Sequence, residues 1–301
     1  MKSRWSSKSL GNKWQHQFFY LLIKLGSWPA GYVALFFVVT VYSCIPAVRN
    51  RSKPYLQRRF PGAGRLEMAL HYWKHQWCFG KVLVDRATAG IRNTLKVEAS
   101  QEDIARLKEL YDRGKGVLVL SAHVGCWQTA MLGVEKSIGA RVHVLLHKDA
   151  QDVDRHYHEH GNSMPAFTTI NANDPFSLMN VSTALQQGAM VVSTADREWG
   201  KSKYMTSVPF MGGMISLPWA LHHLAAICQS PVVICYAIRK GPCRVLYSIS
   251  AIQDIPKPEN KTASQYIPFL RAFAETLEST IQQHPYQFFN FYNLWEPNNG
   301  R

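Results

Sequence analysis

The stretch "GVLVLSA", residues 116 to 122, runs apolar without alternation. A strand of this kind must be covered on both faces, which is the pattern of a sheet inside a layered α/β fold. "RVHVLLH" (141–147), "AFTTIN" (166–171) and "AMVVSTA" (189–195) read as further strands. "PVVICYAIR" and "CRVLYSISAI" read as a strand pair joined by the turn "KGP". Between them lie helical patterns: "WQTAMLGVEKSIG", "DAQDVDRHYHEHG", "DPFSLMNVSTALQQG" starting near Asp174 and Pro175, and "SLPWALHHLAAICQS". "LEMALHYWKHQWCFGKVLVDRA" and "QEDIARLKELYDRG" precede them, the second opened by Ser100 with Asp103 in a capping-box arrangement. "ASQYIPFLRAFAETLESTIQQH" reads as a closing helix. Alternation of this sort predicts a central, mostly parallel sheet flanked by helices.

The N-terminal region has a different character. Residues 1–65 hold eleven Lys or Arg and no Asp or Glu, whereas the remainder is close to balanced, with 23 basic and 20 acidic residues. The net charge of +14 therefore sits on an appendage, 1–65, ahead of an α/β domain at 66–301. That appendage carries 24 uncharged residues between Lys24 and Arg49, punctuated by tryptophan and tyrosine as at a headgroup boundary. A spanning helix needs about 20 apolar residues. Pro29 and Pro46 cut the cleanest run to 16, so spanning, dipping into one leaflet and packing as a core helix all remain open. The expected partner is an anionic membrane, and the confinement of charge to an apolar, aromatic segment argues against nucleic acid. Mean hydropathy of −0.17 excludes a multi-span protein.

Six cysteines without CxxC spacing predict free thiols in a reducing compartment, hence a cytosol-facing domain. His156 and His160 of "HYHEH" have i,i+4 spacing, but no second ligand cluster completes a shell, so no metal is expected. Cys126, three residues after His123, is conceivable as a nucleophile but lies in no arrangement that requires one.

The segment "SAHVGCWQTA" carries the main chemical signal. His123 falls just past the carboxyl end of the first buried strand, where ligands gather in open α/β sheets. Gly125 allows a tight turn or close approach, and Trp127 and Gln128 open the next helix. "VLVLSAHVGCWQTA" resembles the first block of the lysophospholipid acyltransferase superfamily, in particular its lipid A late acyltransferases. "MVVSTADREWGKSKYMTSVPFMGGMISLPWALHHLA" is similar to that family's second block, and "HPYQFFNFYNLWEP" to its terminal segment.

The resemblance implies transfer of an acyl group from a thioester, on a phosphopantetheine carrier protein or coenzyme A, to a hydroxyl of lipid A or a related glycolipid. The setting it implies is the cytoplasmic face of a bacterial inner membrane, with no bound cofactor. His123 would be the general base and Asp196 a second catalytic group. Arg197, helped by Lys201 and Lys203, would hold a phosphate, and backbone N–H groups near Gly212 and Gly213 could serve the oxyanion. Gly125 and Trp127 would line the substrate site. The family has Asp or Glu where this chain has Gln128, a further catalytic candidate that could accept a hydrogen bond and fix the imidazole tautomer but would supply no charge to the imidazolium. Four readings follow: Asp196 or another carboxylate fills the role in space; an activated thioester needs no such help; the chain is a silent lipid- or carrier-binding homologue; or a neutral partner suits an aminoacyl donor. The superfamily includes a lipid A glycyltransferase using an aminoacylated carrier protein, a class linked to antimicrobial peptide resistance.

Overall fold

A computed structural model describes residues 13–128, 138–146, 167–197, 204–260 and 262–295. Three helices come first: α1 (Lys13–Cys44), α2 (Pro46–Arg59) and α3 (Arg65–Arg92). The sheet contains β1 (Lys96–Ala99), β2 (Val117–Ser121), β3 (Val142–Leu146), β4 (Thr168–Asn171), β5 (Met190–Thr194), β8 (Val232–Gly241) and β9 (Arg244–Gln253), in the order β1-β9-β8-β2-β5-β3-β4. Its pairs are parallel except β8 with β9. β6 (Met205–Phe210) and β7 (Gly213–Pro218) form a separate antiparallel ribbon. The remaining helices are α4 (Gln101–Asp112), α5 (Ser177–Gln186), α6 (Ala220–Cys228) and α7 (Ile267–Gln283).

β2 shows why its sequence is continuously apolar: all five of its residues are buried. Leu118 and Leu120 join the core formed with Val181 and Leu185 of α5, Leu221 of α6 and Phe273 of α7. Val117 and Val119 point the other way, into a core with Val82 of α3 and Leu107 of α4. Each buried Leu contributes about 1.5–3 kcal/mol, and neither face can be polar.

The structure corrects several sequence expectations. The helix expected from Ser216 begins at Ala220, because Gly213–Pro218 belong to β7. Their period of two decides it: Ile215, opposite Val208, and Leu217, opposite Thr206, are buried, while Met214 and Ser216 are more exposed. The helix expected from Asp174 begins at Ser177. Asp174 instead closes a turn, its Oδ1 accepting from the Phe176 N–H at 2.8 Å. β1, "KVEA", was not expected; it is a half-exposed edge strand paired with β9 and lacks an apolar run. Ser100 does cap α4, accepting from the Asp103 N–H at 3.0 Å. The helix expected at 149–161, with its HYHEH motif, and most of that expected at 127–139 lie outside the described residues.

Candidate active site

The site begins with a loop that backbone bonds pin from two sides. After β2, the Gly125 N–H donates to the Gln287 carbonyl at 2.8 Å and the Cys126 N–H to the Ala237 carbonyl of β8 at 2.6 Å. The His123 carbonyl accepts from the Phe289 N–H at 2.8 Å. Gly125 has φ +57, and a Cβ there would lie 2.1 Å from the Ala237 oxygen. Only glycine satisfies both conditions. Gln287 completes the clamp with its side chain, whose Oε1 accepts from the Arg239 N–H at 2.9 Å while Nε2 donates to the Arg239 carbonyl at 3.1 Å.

β2 and β5 are parallel neighbours, with Ser121 opposite Thr194. Two residues further along each strand stand His123 and Asp196. The His123 Nδ1 lies 2.8 Å from Asp196 Oδ1, and the His123 backbone N–H donates to Oδ2 at 3.2 Å. The Asp196 side chain is 1% exposed and that of His123 15%. Burial would raise the Asp196 pKa, but the His123 charge and hydrogen bonds, with Arg197, hold it below the usual carboxylate value. An ionised Asp196 accepts at both oxygens, so Nδ1 carries the imidazole proton and Nε2 is left as the basic nitrogen.

Gln128 Oε1 accepts from Arg86 of α3, a residue the sequence had not singled out. The carboxylate that meets the imidazole thus comes from a strand end 73 residues away. The Trp127 ring centroid lies 4.9 Å from that of His123. Arg197 Nη2 donates to the Phe289 carbonyl at 2.8 Å, and its guanidinium sits 5.7 Å from the Tyr292 ring centroid. Part of the hydrogen-bonding capacity expected for a phosphate is therefore committed to the C-terminal segment. Gly212 forms the β6–β7 turn with Met211, whose N–H donates to Glu278 Oε2 at 2.8 Å. Gly213 lies against Trp295. The turn reaches the histidine loop through Phe210, whose ring meets Phe288. Cys126 is buried in the core. Lys201 and Lys203 lie outside the described residues.

Two further supports were missed in the sequence. His75 is fully buried, donating from Nε2 to the Phe288 carbonyl (2.7 Å) and accepting at Nδ1 from Ser52 (3.1 Å). Burial pulls its pKa down to about 4 even though the Phe288 bond raises it, so it stays neutral. Gln287 lay inside the quoted terminal segment, but nothing in its spacing shows that it clamps β8 to the histidine loop.

A buried carboxylate fixing a histidine at the carboxyl edge of a parallel sheet defines a class: α/β proteins equipped for general acid–base chemistry. Residues 76–296 match the family model for bacterial lipid A biosynthesis acyltransferases, so the chain belongs to that family. Comparison with curated proteins gave no match. Family membership makes the chain an acyltransferase related to lipid A synthesis, and with the long apolar α1 it indicates membrane association.

Proposed function

We propose that His123, oriented by Asp196, is the general base that activates a hydroxyl of lipid A or a related glycolipid toward a thioester carbonyl. Nε2 takes the hydroxyl proton as the oxygen attacks. Asp196, ionised and bonded at Nδ1, stabilises the imidazolium that results. When the tetrahedral intermediate collapses, the C–S bond breaks and the imidazolium returns the proton to the departing sulfur. The products are an ester and a free thiol, with no covalent enzyme intermediate. The observation that carries this reading is the 2.8 Å contact between His123 and Asp196. It answers the missing family carboxylate at position 128 without requiring a silent chain. The thioester carrier, protein or coenzyme A, belongs to the same proposal, as does the cytoplasmic face of the inner membrane.

His123→Ala tests it. Transfer is lost while the variant still folds and binds membrane; a homologue that binds without catalysis would lose nothing.

A second reading concerns the donor. Gln128 brings no negative charge beside the base and accepts from the Arg86 guanidinium. The carboxylate that does stand at the base, Asp196, is 1% exposed with both oxygens bonded to His123, so it is not offered to the ammonium of a glycyl donor. A glycylated lipid A would carry an added positive charge and bind cationic antimicrobial peptides less well. Offering the purified protein glycyl-carrier and fatty-acyl-carrier together decides the matter, and exclusive use of the fatty donor rejects this second reading.

A further inference from the structure

The midpoint of α1 is fastened to charged groups of the folded domain. The Tyr32 hydroxyl donates to Asp85 of α3 and accepts from Arg239 of β8, and Arg239 Nε donates to Asp85 at 2.7 Å. On either side the docking continues. Arg92 at the end of α3 donates to the carbonyls of Ile23 (3.1 Å) and Lys24 (2.7 Å). Leu35 fills the space over Gly80, and Trp73 donates to Thr40 at 3.3 Å. The Lys81 ammonium lies 5.6 Å from the Trp77 ring, which itself contacts Tyr32 and Phe36. α1 is therefore held along its length by a helix whose other face belongs to the α/β core.

The face turned away is bare and apolar. Trp14, Phe18, Leu21 and Leu25 are exposed in one half, and Val33, Phe37 and Val41 in the other, at helical spacing, opposite the buried Ile23, Leu35 and Val39. The helix is broken at Ser27, which has φ 58 and ψ −159 and precedes Pro29 by two residues. Although His16–Cys44 as a whole is long and apolar enough to cross a membrane, the pieces on either side of the break, 13–26 and 28–44, number 14 and 17 residues, the longer at the short end of the roughly 17–25 used by crossing helices. Directly after α1, α2 exposes Arg51, Lys53 and Arg58, with Arg49 half-buried, and contains no acid.

From these observations we propose that α1 does not cross the membrane: it lies in the plane of one leaflet of an anionic bilayer, outer face in the acyl chains, with α2 at the headgroups. A crossing centred on Tyr32 would bring Asp85, Arg239 and Lys81 to the middle of the hydrocarbon, where charges are most costly. In-plane docking leaves them on the protein side, and the polar face that an interfacial helix needs is supplied by the domain itself. The basic run of α2 selects anionic phospholipid over a second copy of this chain, which would present the same positive charge. The proposal deepens the membrane setting given above but is independent of turnover.

Two measurements test it with the full-length protein. The first is sedimentation with vesicles of phosphatidylglycerol and phosphatidylethanolamine, against phosphatidylcholine alone. Tight binding to the anionic vesicles is expected, weakened about 100-fold when Arg49, Arg51 and Lys53 are all changed to Gln, at roughly fivefold per charge. Phe37→Ser with Val41→Ser, positions that touch no core, should release the folded protein from both kinds of vesicle. Equal binding to both lipids by wild type, or self-association through α1 with no vesicle binding, overturns the proposal. The second is protease access to an epitope tag placed ahead of Met1. In-plane attachment leaves the tag on the same side as the catalytic domain, protected in intact spheroplasts and cut in inverted vesicles. Cleavage in intact spheroplasts means a crossing helix and overturns the proposal. Neither assay reads acyl transfer, so a failed chemistry and a failed attachment are told apart.

Discussion

Asp196 and Asp85 are both nearly inaccessible carboxylates, and each is paired with a cationic group, yet the partners differ in kind. Asp196 meets an imidazole that can gain and lose a proton. Asp85 meets a guanidinium that cannot, together with a phenol. Their environments pull in opposite directions too. Burial pushes Asp85 above its ordinary value despite Arg239 and Tyr32. At Asp196 the burial effect is outweighed by His123 and Arg197, and the group is held low. A buried carboxylate becomes chemical when its partner titrates, and architectural when its partner is permanently charged.

The sharpest way to break this contrast is Asp196→Asn. The side chain keeps its shape but cannot stabilise an imidazolium, and turnover should drop by about 10⁴-fold with melting little changed. A radiolabelled acceptor assay beside a thermal melt reads both; a variant with near-normal turnover would reduce Asp196 to packing. Asp85→Asn should do the reverse. It leaves Arg239 buried beside a neutral group, with an expected cost of about 3–5 kcal/mol in denaturant unfolding, while transfer per folded molecule stays near normal.

Acid sharpens the comparison further. Asp196, depressed in the folded state, contributes stability that is present above the unfolded carboxylate pKa and lost as pH falls through the lower folded value. Asp85, raised, has the opposite sign and favours the folded state more once protonated. Two buried histidines act as well. Burial holds His75 and His222 at about 4 against an ordinary 6.5. Stability present above pH 6.5 is therefore lost between 6.5 and 4, up to about 3 kcal/mol per histidine. Unfolding at pH 7 and pH 4.5 measures the sum, and His222→Asn should flatten the slope. The smallest effect is a control that bonds to neither aspartate: Ser100→Ala removes a helix cap and should cost about 1 kcal/mol with no change in transfer.

The sheet was legible because parallel strands buried on both faces leave unbroken apolar runs, as β2 and β5 do. β1 escaped because an edge strand reading "KVEA" needs no such run. The β6–β7 ribbon was hidden by the apolar residues just after it, which also suit a helix. At the site, His123 stood out by its place after a strand, and the neutral Gln128 raised the question of a substitute carboxylate. Asp196 could be named as a candidate, but its arrival beside His123 depends on β5 lying next to β2, which no local spacing encodes. Arg86 and Tyr32 were invisible for a related reason. Their partners are reached through helix packing, with no periodicity to announce them.

The clamp on Gly125 by Gln287 has a consequence for how the protein is born. Residues 287–289 leave the ribosome after every described strand of the sheet, and α1 leaves well before them. The nascent chain can thus settle on its lipid surface while the histidine loop still lacks one of its two walls. The histidine loop therefore takes its final shape only once residues 287–289 have been made, and a chain released before that point would lack this wall.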